Sequence, residues 1–119
     1  LLARVLDNVL TNAVRYNRDD GLVHVSARFD DHGGDTPAMI VLEVRDQGEG
    51  IPPEERERIF DRFYRLDHSR ARHTGGTGLG LAICREVLAV MRGRIRAAAS
   101  GPDGTTVQLS VPGIERVTA

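Results

Sequence analysis

Asn8, Asn12 and Arg15 stand at i, i+4 and i+7 of a segment with helical periodicity, so their side chains share one stripe. Asparagine is a poor residue for a helix interior, because its amide competes for backbone hydrogen bonds. Two in register invite a chemical reading. An amide oxygen suits a hard cation such as Mg2+, whose other ligands are waters and substrate phosphates, and an arginine one turn on can reach a phosphate. A solvated face with incidental asparagines explains the same spacing, and this segment alone leaves both open. Further along, Asp46-Gln47-Gly48-Glu49-Gly50-Ile51-Pro52 follows an apolar run. A carboxylate at a strand end, with glycines behind it, can accept a hydrogen bond from a ligand that comes close to the backbone. The amino group of adenine is such a donor; guanine offers an oxygen at that position and is rejected. A tight turn with a turn-forming aspartate is the alternative. Gly75-Gly76-Thr77-Gly78-Leu79-Gly80-Leu81 then runs from a polar loop into a helix start. Closely spaced glycines expose backbone N–H groups where a helix N-terminus attracts anions. Gly80, read as lying inside that helix, costs about 1 kcal/mol relative to alanine, and a phosphate chain pressed on the backbone would offset it. The Gly-Lys-Ser/Thr ending of a Walker loop is missing, and the glycines do not directly follow a strand as in the dinucleotide fingerprint.

The elements that must position these residues follow from periodicity. Residues 1–16 read as a helix with apolar positions Leu2, Val5, Leu6, Val9 and Ala13. Residues 17–21 are a turn cluster. Val23, Val25, Ala27 and Phe29 alternate with polar residues, as in a half-buried strand, and 30–35 is a polar hairpin tip. Residues 39–44 form an apolar run rich in β-branched types, a central strand. Pro52, Pro53 and Glu54 open a short helix toward Phe60. Residues 65–77 are polar and end in glycines; 79–91 read as a second long helix, stopped by Gly93. Residues 94–99 and 105–111 read as strands closing around a turn between Gly101 and Gly104. The order predicts an α/β fold, a two-layer sandwich with a mixed sheet and about three helices on one face.

Composition bounds the rest. The 119 residues suit one domain, with 40% hydrophobic and 28% charged residues. A formal net charge of -1 steers the whole chain toward neither nucleic acid nor an anionic membrane. No apolar run is long enough to cross a bilayer, and the start is no signal peptide. The single cysteine, Cys84, excludes an internal disulfide. All 16 basic residues are arginine, so any basic phosphate contact uses a planar guanidinium. The first helix has no N-cap, as expected of a piece cut from a longer protein.

Taken together, the motifs resemble the ATP-binding domain of bacterial sensor histidine kinases, of the superfamily shared by DNA gyrase B, the Hsp90 chaperone and MutL. Asp7-Asn8-Val9-Leu10-Thr11-Asn12-Ala13-Val14-Arg15-Tyr16 is similar to that family's asparagine box, and Asp46 to Ile51 to its first glycine box. Ile59-Phe60-Asp61-Arg62-Phe63-Tyr64-Arg65 is similar to its phenylalanine box, Gly76 to Leu81 to its second glycine box, and Gly104-Thr105-Thr106 to its last. The motifs occur in family order and cover nearly the whole chain, which is far more specific than any single match. The resemblance implies the Bergerat-type ATP-binding fold and these roles. Asn12 coordinates Mg2+, with Asn8 beside it on the phosphate side. Tyr16 lies against adenine, Asp46 binds its amino group, and Gly48, Gly50 and Ile51 shape the base pocket. Arg65 and its successors form an ATP lid that Phe60 and Phe63 anchor. Gly76 and Thr77 lead into Gly78, Leu79, Gly80 and Leu81 at the phosphates, and Thr105 reaches the base pocket. Arg15 departs from the lysine common in the family, keeping charge but changing reach.

The resemblance also implies a division of labour. A gyrase-like ATPase has a glutamate at the position of Asn8 to activate water; asparagine cannot act as that base, so hydrolysis should be slow. The family's phosphoacceptor histidine precedes an acidic residue, whereas His24, His32, His68 and His73 precede Val25, Gly33, Ser69 and Thr74. No phosphoacceptor is therefore expected in this chain. The implied partners are a histidine-bearing dimerisation domain of the parent kinase and a response regulator receiver domain, in a cytoplasmic setting with the parent anchored in the inner membrane. An anti-sigma-factor serine kinase, or a degenerate nucleotide sensor without transfer, is the competing expectation. Cys84, Val87, Leu88 and Met91 share a helical face and read as core.

Overall fold

In a computed structural model of the chain, the structure describes residues 2–31, 37–62 and 80–113. α1 (Leu2–Arg15) buries Val5, Val9 and Ala13, one apolar stripe at the spacing of successive turns. β1 (His24–Asp30) and β2 (Met39–Arg45) follow, then single 3-10 turns at Pro53–Glu55 and Arg58–Phe60. α2 (Gly80–Val90), β3 (Arg94–Gly101) and β4 (Gly104–Pro112) complete the described chain. The strands form a four-stranded sheet in the order β1-β2-β4-β3. α1 and α2 lie side by side on one face. There Val5, Val9, Ala13, Cys84 and Leu88 meet Val44, Ile95, Leu109 and Val111 in one core, which Ile59 and Phe60 close. This is the two-layer α/β sandwich the sequence predicts.

The sheet is not mixed among the described residues: every ladder is antiparallel. β2 and β3 do run in the same direction, as a connection carrying a helix permits. The β3–β4 hairpin then returns β4 between them, so no parallel ladder forms. On the face away from the helices, polar side chains bridge the strands. Arg28 Nη1 lies 3.5 Å from Glu43 Oε2, Gln108 Nε2 donates to that oxygen at 2.9 Å, and Arg96 Nε donates to Gln108 Oε1 at 3.0 Å.

Other expectations need local correction. β1 is not half-buried; Val25 and Phe29 are 49% and 61% exposed, because β1 is an edge strand of the described sheet and the helices cover its neighbours. The short helix after Pro52 is two 3-10 turns. Pro52 is extended (φ -55, ψ 141), and the bonds that follow span three residues, Glu55 N–H to Pro52 O at 2.9 Å and Asp61 N–H to Arg58 O at 2.9 Å. α2 is stopped by Arg92, not Gly93. Arg92 takes φ 62, its N–H donates to Ala89 O at 3.1 Å, and Gly93 N–H donates to Leu88 O at 2.7 Å, a Schellman cap. Gly93 is required for another reason: a Cβ there would sit 2.3 Å from Ser110 O. Gly80 is the first described residue of α2.

Candidate functional site

Asp46 follows the last residue of β2 and turns into the glycine loop. Its N–H donates to Thr105 O at 2.9 Å, and Thr105 N–H donates back to Asp46 Oδ1 at 3.1 Å. Gly48 N–H also donates to Oδ1, at 2.9 Å. Both bonds fall on one carboxylate oxygen, which leaves Oδ2 without a hydrogen-bond partner among the described residues. Burial pushes the carboxyl pKa up, and the N–H groups of Gly48 and Thr105 pull partly against that rise. Asp46 is thus a half-buried acceptor aimed by backbone donors.

Glycine lets three backbone segments meet around it. A Cβ at Gly48 would lie 2.2 Å from Tyr16 O, one at Gly50 (φ +87) 2.1 Å from Gly101 O, and one at Gly104 (φ +132) 2.0 Å from Asp46 O. The end of α1, the Asp46 loop and the β3–β4 hairpin are therefore in contact, which brings Tyr16, Gly48, Gly50, Ile51 and Thr105 together. Residues the sequence reading passed over hold this arrangement. Asn17, only 7% exposed, accepts from Gln47 N–H at 3.0 Å through Oδ1 and donates through Nδ2 to Leu22 O at 3.1 Å. Ser100 Oγ accepts from Ile51 N–H at 2.5 Å and lies 2.9 Å from Thr105 Oγ1. Arg56 Nη2 donates to Ser100 O at 2.8 Å. A buried asparagine inside a turn cluster was the one available signal; the partners lie too far along the chain for local spacing to reveal.

The asparagine stripe occupies the interface between the two helices. Asn8 and Asn12 are half-buried beside the buried stripe of α1. Cys84 is fully buried on α2, its thiol 3.6 Å from Val5 O and hydrogen-bonded to the Asn8 side chain; burial pushes its pKa above the ordinary value. Among the described residues, a Cβ at Gly80 would meet only Asn8 Cγ, at 4.0 Å, an ordinary contact. Asn8 and the end of the second glycine motif are thus neighbours. Leu81 is half-buried against the core. Arg15 Nη1 donates to Asn12 Oδ1 at 3.1 Å, so that amide oxygen already faces a cation. Along α1 the rise from Asn8 to Tyr16 is roughly 12 Å, which makes the helix the strut joining the asparagine end to the aspartate end. Phe60 is 2% exposed and Ile59 is buried beside it. Phe63, Arg65, Arg70, Arg72, His68, His73, Gly75, Gly76, Thr77, Gly78 and Leu79, with the lid they were assigned to, lie outside the described residues, as do His32 and most of the 30–35 tip.

Among the described residues, no group of three or more His, Cys, Asp or Glu could hold a metal, and no helix is long and apolar enough to cross a membrane. Residues 1–114 match the family described as histidine kinase-, DNA gyrase B-, and HSP90-like ATPase. The chain is 40% identical over 111 residues to the sensor histidine kinase WalK of Bacillus subtilis (strain 168), an alignment covering 93% of this chain and 18% of that protein. It superposes on the mycobacterial sensor histidine kinase MprB with TM-score 0.78 and 37% identity, covering 97% of this chain and 74% of that one. Full-length ShkA, solved in complex with AMPPNP, matches with TM-score 0.76 and 28% identity over 98% of this chain and 22% of that one. The chain belongs to the histidine kinase-, DNA gyrase B- and HSP90-like ATPase family, as an ATP-binding domain of the sensor histidine kinase type.

Proposed function

We propose that this chain is the catalytic part of a two-component sensor kinase, holding Mg·ATP and presenting its γ-phosphoryl group to a histidine on a separate dimerisation domain of the parent. The observation that carries the reading is Asp46, whose Oδ1 is saturated by two backbone N–H groups while Oδ2 is left to accept from the adenine amino group. With the base between Tyr16, Ile51 and Thr105, a nucleotide laid along α1 brings its phosphates to Asn12, Asn8 and the start of α2. Among the described residues only Asn8 comes near a Cβ at Gly80, which lets a phosphate approach the backbone of α2 there. The donor set fits Mg2+: one amide oxygen, Asn12 Oδ1, completed by substrate phosphates and water, with no protein carboxylate cage among the described residues. The metal, when bound, supplies neutralisation of phosphate charge. Arg15 leaves Asn12 Oδ1 to make way and turns to a phosphate. Asn8 contributes an amide, not a base, so the bound water is not activated and ATP is kept for transfer. Gly76, Thr77, Gly78, Leu79 and Arg65 close over the phosphates in this reading. The parent passes the phosphoryl group on to a receiver domain and carries this part on the cytoplasmic side of a membrane anchor, in keeping with relatives far longer than the chain.

The test is Asp46→Asn, which replaces a charged acceptor by a neutral one. ATP affinity should fall by about 1–3 kcal/mol in titration calorimetry on the folded variant. ATP binding as tight as in the wild type would remove the base assignment.

A further inference from the structure

The sheet face away from the helices is hollowed into a trough, and the strand register gives its shape. Arg28 pairs with Val41, Val41 with Ser110 and Ser110 with Arg94, so these residues make one row across β1, β2, β4 and β3. The inner strands contribute the small members of the row and the outer strands the arginines. Three strand spacings separate Arg28 from Arg94, roughly 14 Å between backbones. The hollow between them has a volume of about 450 Å³. Charge is spread unevenly over it. On the β1 side Arg28 is held by carboxylates, with Nε 3.3 Å from Asp30 Oδ1 and Nη1 3.5 Å from Glu43 Oε2. On the β3 side the side chains of Arg92 and Arg94 have no partner among the described residues, and Arg96 uses only Nε, on Gln108. All three line the hollow, so one wall is a row of guanidiniums in a chain of net charge -1.

We infer that this trough is a docking surface for an extended acidic segment of a partner protein, with carboxylates at alternate positions facing Arg94 and Arg96. Those two arginines stand two residues apart on one strand, roughly 6.6 Å, which is also the repeat of same-side side chains in an extended segment. Successive carboxylates therefore meet successive guanidiniums, each of which can bind both oxygens through its planar fork. The small side chains of Val41 and Ser110 leave room for the segment's backbone. Asp30 and Glu43 on the opposite side disfavour a uniformly anionic partner such as a membrane or a nucleic acid, which would meet carboxylates as well as arginines. The nucleotide reading lies along α1, on the other face of the sheet, so segment and ATP should bind independently.

The probe is a fluorescent peptide of about ten residues alternating glutamate and threonine, a composition that favours the extended state at its threonines, titrated with the 119-residue chain. Saturable binding that weakens with salt is expected. A peptide with as many glutamates, placed at every third position, turns successive carboxylates to opposite sides and should bind about fivefold more weakly. Equal binding of the two would reduce the trough to general charge attraction and overturn the inference, as would no saturable binding. Arg94→Glu combined with Arg96→Glu should weaken the alternating peptide by about tenfold or more. Ser110→Tyr fills the hollow without altering charge and should weaken it comparably; undiminished binding in either folded variant would overturn the assignment. Thermal melts report folding, and Arg94→Ala, which only removes an exposed head group, replaces a variant that does not fold. Saturating ATP should leave the peptide's affinity unchanged, whereas competition would put the peptide in the nucleotide site. Phosphatidylglycerol vesicles or a single-stranded oligonucleotide bound more tightly than the peptide, and lost in the same variants, would give the trough to a membrane or a nucleic acid instead.

Discussion

At the scale of single residues, the described glycines divide into those whose Cβ the fold has no room for and those, Gly80 among them, where it has room. Gly48, Gly50 and Gly104 each face a backbone oxygen at a distance no Cβ tolerates, so their absence of a side chain is already accounted for by the fold. Among the described residues, Gly80 faces only Asn8 Cγ, at 4.0 Å. Alanine there should leave thermal stability equal or slightly higher, since alanine is the better helix former. In the proposed nucleotide placement it should nonetheless weaken ATP by about tenfold, because the methyl would stand where a phosphate approaches α2. Calorimetry alongside a thermal melt checks this; a variant that melts early and binds normally would reverse the argument. Asp46 makes a second, pH-dependent prediction. Its folded pKa is raised by burial, so the folded chain takes up this proton before the unfolded chain as pH falls. Above the folded pKa the buried charge costs stability, and that cost is relieved as pH drops through the folded value toward the unfolded one. Base binding runs the opposite way, because protonation removes the charged acceptor. Adenosine affinity should decline with falling pH from above the ordinary aspartate range in the wild type, and Asp46→Asn should lack that decline. Parallel profiles in the two proteins would take Asp46 out of base recognition.

At the scale of elements, the cap of α2 has room for improvement. Arg92 holds φ 62, a conformation in which a side chain is strained and glycine is not. Arg92→Gly should stabilise the chain by about 1 kcal/mol in urea unfolding, and a loss of stability would mean that the arginine side chain contributes more than its backbone costs. This cap shows what the sequence could and could not disclose. Helices and strands were legible because their signal is periodic: Val5, Val9 and Ala13 on α1, and the alternation through β4, state a buried face outright. The end of α2 was legible to within a residue, but an arginine in the left-handed position beside a glycine hides which of the two turns the chain. The 3-10 turns were misread as a helix because proline in a first turn is equally at home in either. The site was legible where it recurs as a motif, and illegible where it depends on contacts between distant segments. Asn17 reaches Gln47 across 30 positions and Ser100 reaches Ile51 across 49, and no local pattern encodes such pairs.

At the scale of the whole molecule, the sheet divides the chain into two chemical faces. The helix face carries Asn8, Asn12 and Gly80, and the far face carries the bridged polar rungs from Arg28 to Arg96. His24, on β1, stands in register with Arg45 and shares the strand face of Arg28, opposite the helices. In the proposed placement, a phosphate held at α1 and α2 is separated from His24 by the sheet, which argues against His24 as the acceptor. In the same reading Asn8 offers an amide where hydrolysis would need a base, so transfer to water is expected to be slow. The isolated chain incubated with Mg·ATP labelled at the γ-position should therefore bind nucleotide, hydrolyse it slowly and incorporate no label. Adding the parent kinase's histidine-bearing domain in trans should produce acid-labile, base-stable label on that domain, and Asn12→Ala should suppress it by depriving the metal of its protein ligand. Base-stable label on this chain would place an acceptor within it. Label on a serine of another protein would instead make it a serine kinase, and tight ATP binding with transfer to neither would reduce it to a nucleotide sensor.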